Sequence, residues 1–330
     1  MSFTVLKGGA FTTVQDLGRP GYQRYGVAVG GAVDAFAARV ANLLAGNAES
    51  AALLEMTLQG PELRFAEETL LAWCGGGFIA RVGAEDLPRD RPVRVAAGAI
   101  VSFGVTKSGA RAWLAIAGGV EVPLVLGSRS TYRRAGIGGH EGRTLTAGDQ
   151  LPCGQPSEWA QQMLSSLRNT PRLATAWSVR PETLGQAAPE GKVRALRGPE
   201  WDWFGAEAQR RFFAMGFVVT KDADRMGIRL TGPALATAKP REMISDAVNT
   251  GVVQVPPSGQ PIVLLTSRQT VGGYPRIAAV VAVDAARLAQ LKPGDRLRFE
   301  EISLATAHEL YIGRERDLNR VRAGLARMTG

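Results

Sequence analysis

Leu145-Thr146-Ala147-Gly148-Asp149-Gln150-Leu151 is echoed by Leu291-Lys292-Pro293-Gly294-Asp295-Arg296-Leu297. Each copy sits at the end of a half rich in short apolar runs, and each places Gly-Asp between two leucines. A motif that closes both halves of one chain points to two related folding units. In the first half the runs are 4–14, 53–58, 63–65, 69–73, 78–82, 93–95, 100–103 and 112–117, separated by Gly, Pro and charged turns. Short strands without alternating long helices predict a mainly β protein built as two β-barrel domains. The first is expected over 1–154. A linker with one short helix, Glu158 to Leu167, is expected over 155–190, and the second barrel with a terminal helix over 191–330.

A few helices are expected besides. Asp34 precedes Phe36, Val40, Leu43 and Leu44 at helical spacing, which marks it as an N-cap. Ala206 to Ala214 reads as a second helix. In the tail, Leu310, Leu318, Val321 and Leu325 recur near helical spacing with Arg314, Arg316, Arg320, Arg322 and Arg327 between them, an amphipathic helix with a basic solvated face. The net charge of +9 is otherwise spread along the chain, so a nucleic-acid interface is not expected. Anionic small molecules or an acidic partner protein suit that charge better.

Two cysteines, Cys74 and Cys153, make no disulfide framework, and two distant histidines, His140 and His308, have no metal-ligand spacing; no metal site is expected. No apolar run approaches the length of a membrane span, and the first residues lack the apolar core of a signal peptide. A soluble cytoplasmic protein follows. Neither a Walker loop nor a dinucleotide fingerprint occurs. Gly75-Gly76-Gly77 is open to two readings, a phosphate cradle or a tight turn.

The stretch 249–277 carries the densest candidate chemistry. An apolar strand at 262–265 feeds Ser267-Arg268-Gln269-Thr270-Val271-Gly272-Gly273-Tyr274-Pro275, where glycines admit close backbone approach and positive φ. It is either a binding loop or a hairpin with polar residues in water. Gly118-Gly119 looks like its counterpart in the first half. Asp246 would serve as an acid or base if the fold buried it and raised its pKa. Asp16, Arg19 and the glycines around them suit a carboxylate or phosphate, or else pin their own turn. Lys221 to Gly227 repeats that composition.

Thr12-Thr13-Val14-Gln15-Asp16-Leu17-Gly18-Arg19-Pro20-Gly21, Gly31-Ala32-Val33-Asp34, Gly60-Pro61-Glu62-Leu63, Asp224-Arg225-Met226-Gly227, Gln254-Val255-Pro256 and Gln269-Thr270-Val271-Gly272-Gly273-Tyr274-Pro275 together resemble the allophanate-hydrolase-subunit-2 family. Its members are also known as biotin-dependent carboxyltransferase family proteins, or as the C-type subunits of 5-oxoprolinase. The resemblance runs from about Phe3 to Ile302. It implies cyclophilin-like β-barrels and a heteromeric, ATP-dependent 5-oxoprolinase that opens 5-oxo-L-proline to L-glutamate. The implied partners are a subunit-1 type cyclophilin-like protein and a third, amidohydrolase-like subunit, with ATP bound by this chain or its partner.

Two alternatives accompany it: the carboxyltransferase half of a urea-type carboxylase using a biotin carrier, or a non-catalytic regulator of the subunit-1 partner. The candidate catalytic residues are Asp246, Arg268, Gln269 and Tyr274. The candidate ligand-binding residues are Asp16, Arg19, Arg225, Asn249, Gln254, Thr270, Gly272 and Gly273. Arg268, Arg225 or Arg19 would stabilise charge developing on an activated lactam oxygen, with backbone N–H groups of Gly272 and Gly273 beside it. One departure is Ser267, where the family commonly has an aspartate.

Overall fold

The computed structural model describes residues 1–179, 191–239 and 242–328. Residues 180–190 of the expected linker, and Arg241, lie outside the described residues. Among the described residues the chain divides into two compact units, Met1–Arg19 with 30–179 and 317–328, and Pro20–Val29 with 191–239 and 242–316.

The first unit contains β1 (Ser2–Lys7), β2 (Phe11–Gln15), α1 (Ala35–Leu44), β3 (Leu53–Thr57), β4 (Glu62–Phe65), β5 (Thr69–Gly75), β6 (Ala80–Val82), β7 (Glu85–Leu87), β8 (Val93–Val95), β9 (Ile100–Phe103), β10 (Arg111–Ile116), β11 (Gln150–Pro152) and α2 (Glu158–Arg168). Its strands form two sheets, β11-β1-β4-β9-β6-β7 and β2-β3-β10-β5-β8. Phe3, Leu63 and Phe65 from one sheet share a core with Leu54, Leu71, Trp73 and Leu114 from the other. Every residue of β5 and β10 is buried. Strands covered on both faces read as continuous apolar runs, and these are covered on the far side by helices. Asp34 caps α1, its Oδ1 accepting from Ala37 N at 3.0 Å. α2, expected in a linker, lays Ala160, Met163, Leu164 and Leu167 on Leu70 and Ala117.

The second unit contains β12 (Lys192–Arg197), α3 (Ala206–Ala214), β13 (Gly216–Val219), β14 (Gly227–Thr231), β15 (Asp246–Ala247), β16 (Val252–Gln254), β17 (Ile262–Leu264), β18 (Val271–Gly272), β19 (Arg276–Val280), α4 (Ala285–Gln290) and β20 (Arg296–Glu301). Strands β12-β19-β16-β17-β14-β13-β20 close into a barrel, with β12 and β20 parallel. Phe212, Phe217 and Phe299 pack together within it, Phe212 stacked on Phe299 with ring centroids 4.4 Å apart. The terminal helix is α5 (Leu304–Ala326), which buries Leu318 and Leu325.

The repeated motif is a repeated turn. Asp149 Oδ2 accepts from Thr146 N at 2.8 Å, and Asp295 Oδ2 from Lys292 N at 2.9 Å. Gly148 and Gly294 both have positive φ, 96° and 90°. Each donates to a strand carbonyl, Val5 O and Val219 O, while Val5 N and Val219 N donate back to Asp149 O and Asp295 O. The aspartate closes the turn, glycine supplies the left-handed residue, and the backbone on either side joins a ladder. Gly75-Gly76-Gly77 is likewise a turn: Gly76 N and Gly77 N donate to Arg111 O and Ser108 O, so those amides are already used.

One buried carboxylate is held against its preference. Asp90 is 4% exposed at positive φ, beside the buried Cys74 thiol and an ion pair with Arg89. Burial raises its pKa to about 6, with Arg89 pulling the other way. A raised folded-state value means that stability present at pH 4 is lost as pH rises to about 6 and stays lost above it. Asp90→Asn keeps the left-handed backbone accessible and removes that ionisation. The variant should be more stable than the parent at pH 7.5, by about 1–3 kcal/mol, with the difference vanishing near pH 4. Denaturant unfolding between pH 4 and 8 measures this; an equal gap at both ends would contradict it.

Candidate functional site

In the second unit, alternation along three neighbouring strands decides which side chains leave the barrel core. Ile228, Leu230, Val253 and Val263 are buried inward. Arg229, Ile262 and Gln254 occupy the intervening positions and therefore face outward. Arg229 is opposite Ile262, and Ile262 is opposite Gln254, so the three stand in one row across β14, β17 and β16. Over this row lies a cleft of about 320 Å³. Its walls come from three loops: Asp222 and Asp224 before β14, Pro256 and Ser258 after β16, and Gln269 with Tyr274 around β18.

Gln254 is the deepest polar residue of the cleft, 1% exposed. Its Nε2 donates to Tyr274 O at 3.3 Å, and its Oε1 accepts from Gln269 Nε2 at 3.3 Å. The amide approaches so closely to the loop that a Cβ on Gly272 would stand 2.5 Å from Gln254 Nε2. A side chain at 272 would push the Gln254 amide out of this position. Gly272 and Gly273 have no positive φ, whereas Gly118 and Gly119 do, at 87° and 72°. The two glycine pairs therefore answer different constraints. Gly118 is needed because a Cβ there would fall 2.0 Å from Gly154 O.

The loop is braced from below. β15 pairs with β18, Asp246 opposite Gly272. Arg276 donates to both oxygens of Glu200 at 2.7 and 2.8 Å and to Ala247 O at 3.1 Å, and lies 2.9 Å from Asp246 Oδ2. Asp246 is exposed, and a hydrogen bond from Ala247 N, then Arg276, holds its carboxyl below the usual range. The burial that would have made it a raised-pKa base is not there, because its strand lies outside the barrel.

Arg268 also differs from its expected place. It is 4% exposed and does not line the cleft. Nε donates to Val248 O at 3.0 Å, Nη1 to Thr250 Oγ1 at 2.9 Å and Nη2 to Asn249 Oδ1 at 3.4 Å. Burial alone pushes its pKa down. The guanidinium thus ties 248–250 to the loop through neutral oxygens, while Thr270 O accepts from Val248 N at 3.1 Å. Ser267 N donates to Arg225 O at 3.0 Å, and Arg225 reaches Thr266 Oγ1 at 3.4 Å. Arg225, Asn249, Thr270, Gly272 and Gly273 frame the loop without lining the cleft.

Asp16 and Arg19 belong to the first unit. Asp16 Oδ1 accepts from Gly18 N at 2.7 Å, Ser128 Oγ at 2.7 Å and Ser130 Oγ at 2.5 Å, while Oδ2 accepts from Arg129 N at 2.6 Å. Arg19, 1% exposed, donates to Ser130 O and to Val125 O. Burial lowers its pKa, against an upward pull from Asp16. Both residues pin the 125–130 loop. The echo in the second unit is Asp224, whose Oδ1 accepts from Met226 N at 2.7 Å and Gly227 N at 3.1 Å.

Sequence reasoning missed Arg229 and Asp222. The available signal was a charged residue between Ile228 and Leu230, which alternation sends to the outer face. Among the described residues no group of three or more His, Cys, Asp or Glu is placed to hold a metal ion, and no helix is long and apolar enough to cross a membrane.

The carboxyltransferase domain, subdomain A and B, matches residues 25–301. The chain belongs to that carboxyltransferase-domain family. It is 38% identical to the C-type subunit of 5-oxoprolinase from Escherichia coli (strain K12) over 92% of both chains, and 37% identical to the corresponding protein of Haemophilus influenzae over 94% of both. The crystal structure of the K. lactis urea amidolyase superposes with a TM-score of 0.86 at 30% identity over 97% of this chain. The match spans only 20% of that larger protein. Within this carboxyltransferase-domain family the closed barrel and its outer cleft form the candidate site of the second unit.

Asp16→Ala leaves four hydrogen-bond donors without their acceptor and should destabilise the fold by about 2–4 kcal/mol. Chemical denaturation measures this. Unchanged stability would show that Asp16 is free for a ligand after all.

Proposed function

We propose that this chain is the C-type subunit of a cytoplasmic, ATP-dependent 5-oxoprolinase, working with a subunit-1 type partner and a third, amidohydrolase-like subunit. The observation that carries this reading is the 38% identity to a C-type 5-oxoprolinase subunit along 92% of both chains. The cleft is consistent with it. A lactam presents one C=O and one N–H side by side, and a pair of carboxamides offers both complements. Gln254 and Gln269 bind and orient that group, Tyr274 covers it at the rim, and Arg229 receives the substrate carboxylate.

ATP supplies activation of the lactam carbonyl. The cleft does not suit it: Asp222 and Asp224 line the space that a triphosphate would fill, with Arg229 as the one cation among the lining residues. The nucleotide is therefore assigned to a partner chain, and no step of phosphoryl transfer is given to these residues. Arg268 holds the loop and does not touch the reacting atoms.

A second reading has one observation in its favour, the TM-score of 0.86 to a urea amidolyase. There the same amide pair would hold the ureido group of a biotin carrier.

The test is glutamate release from 5-oxo-L-proline and ATP by the purified chain mixed with its partner subunits. Gln269→Ala should lower kcat/KM about tenfold or more with little loss of stability. Arg268→Ala should instead destabilise the chain, by about 2–4 kcal/mol, since three oxygens lose their donor. No release with all subunits present would end the proposal, and activity dependent on a biotinylated carrier would replace it with the second reading.

A further inference from the structure

The cleft carries charges of both signs that do not neutralise each other. Among the described residues, Arg229 forms no ion pair with Asp222 or Asp224, although all three line the same space. Asp224 spends one oxygen on the N–H groups of its own turn, and Asp222 has no such engagement. Asp224 sits against Gly227 N, and Arg229 is two residues further along the same strand, about 7 Å from backbone to backbone. Opposite charges that line one concavity without pairing suit a ligand that is itself a zwitterion. An α-ammonium and an α-carboxylate, one carbon apart, need only one hydrogen bond at each end to bridge them.

The third element fixes the side chain. Gln254 lies two strands from Arg229 in the same row, about 10 Å from backbone to backbone. A short carbon chain lying along this row meets the guanidinium at one end and a carboxamide at the other. Ile262, between them, gives the methylenes an apolar floor.

We infer that the cleft is selective for a free α-amino acid with a terminal side-chain carboxyl or carboxamide, the class of the ring-opened product L-glutamate, over the lactam from which it forms. This rests on the 5-oxoprolinase reading for its place in the reaction. Both compounds offer a carboxylate to Arg229 and a carbonyl to the Gln254–Gln269 pair. In the lactam the N–H stays beside the C=O at the carboxamide pair; only after the C–N bond of the ring is cleaved does the nitrogen become a charged ammonium free to reach Asp222 and Asp224. Ring opening therefore adds an ion pair that the lactam nitrogen, neutral and acylated, cannot make.

Calorimetric titration of the full chain with L-glutamate, 5-oxo-L-proline and N-acetyl-L-glutamate tests this. Glutamate should bind about tenfold or more tightly than either of the others, which lack the ammonium. Asp222→Asn should erase most of that preference, and Arg229→Gln should weaken glutamate and N-acetylglutamate alike. Equal or tighter binding of the lactam, no saturable binding of glutamate, or an unchanged preference in Asp222→Asn would overturn the inference. Turnover by the assembled subunits is measured alongside. Turnover without the preference removes the inference and leaves the 5-oxoprolinase reading. The preference without turnover removes that reading and leaves the amino-acid site.

Discussion

A carboxamide taken out of water must find hydrogen-bond partners nearby or cost its burial. Gln254 is buried on the outer face of the barrel, where the strands themselves offer it nothing, so its partners come from the loop above: Tyr274 O and the Gln269 amide. That requirement dictates the loop. A Cβ at Gly272 would displace the amide, and the chain around it is held at that height. The β15–β18 pairing and the Arg276–Glu200 pair hold it from one side, and Arg268, with its three neutral acceptors, from the other. Removing any of these supports loosens the amide before it touches a ligand.

The arginines divide according to what surrounds them. Arg19 and Arg268 are buried among neutral oxygens, where the guanidinium fork crosslinks backbone segments and its charge is a cost. Arg276 is paired with carboxylates, which hold its pKa up. Arg229 is in neither situation: it stands on the outer row of the barrel facing a cleft that also contains acids. A cation spent neither on backbone carbonyls nor on a counter-ion is open to a ligand, which is the role proposed for Arg229 on the barrel's outer face.

The parts of this protein that depend on a few adjacent residues were readable in order. The Gly-Asp turns at 148–149 and 294–295, the Asp34 cap, the strand at 262–264 and helix 206–214 each follow from local hydrogen bonding or from periodicity, and each is present. The family motifs were readable for the same reason, since short strings of Gly, Asp, Gln and Pro encode particular turns. Asp16 and Arg19 read as loop or ligand; they make four and two hydrogen bonds, several to residues over a hundred positions away, that hold their own loop.

By itself, then, the sequence determined a mainly β chain, its repeated turn chemistry and its family, and it singled out the candidate loop. Which side chains meet across that loop was decided by tertiary structure alone. Side-chain neighbours on a sheet are set by strand register, which brings Arg229, Ile262 and Gln254 into one row from three separate strands. Burial, which left Asp246 in water and sealed Arg268 away from the cleft, is likewise a property of the closed barrel and of no local stretch.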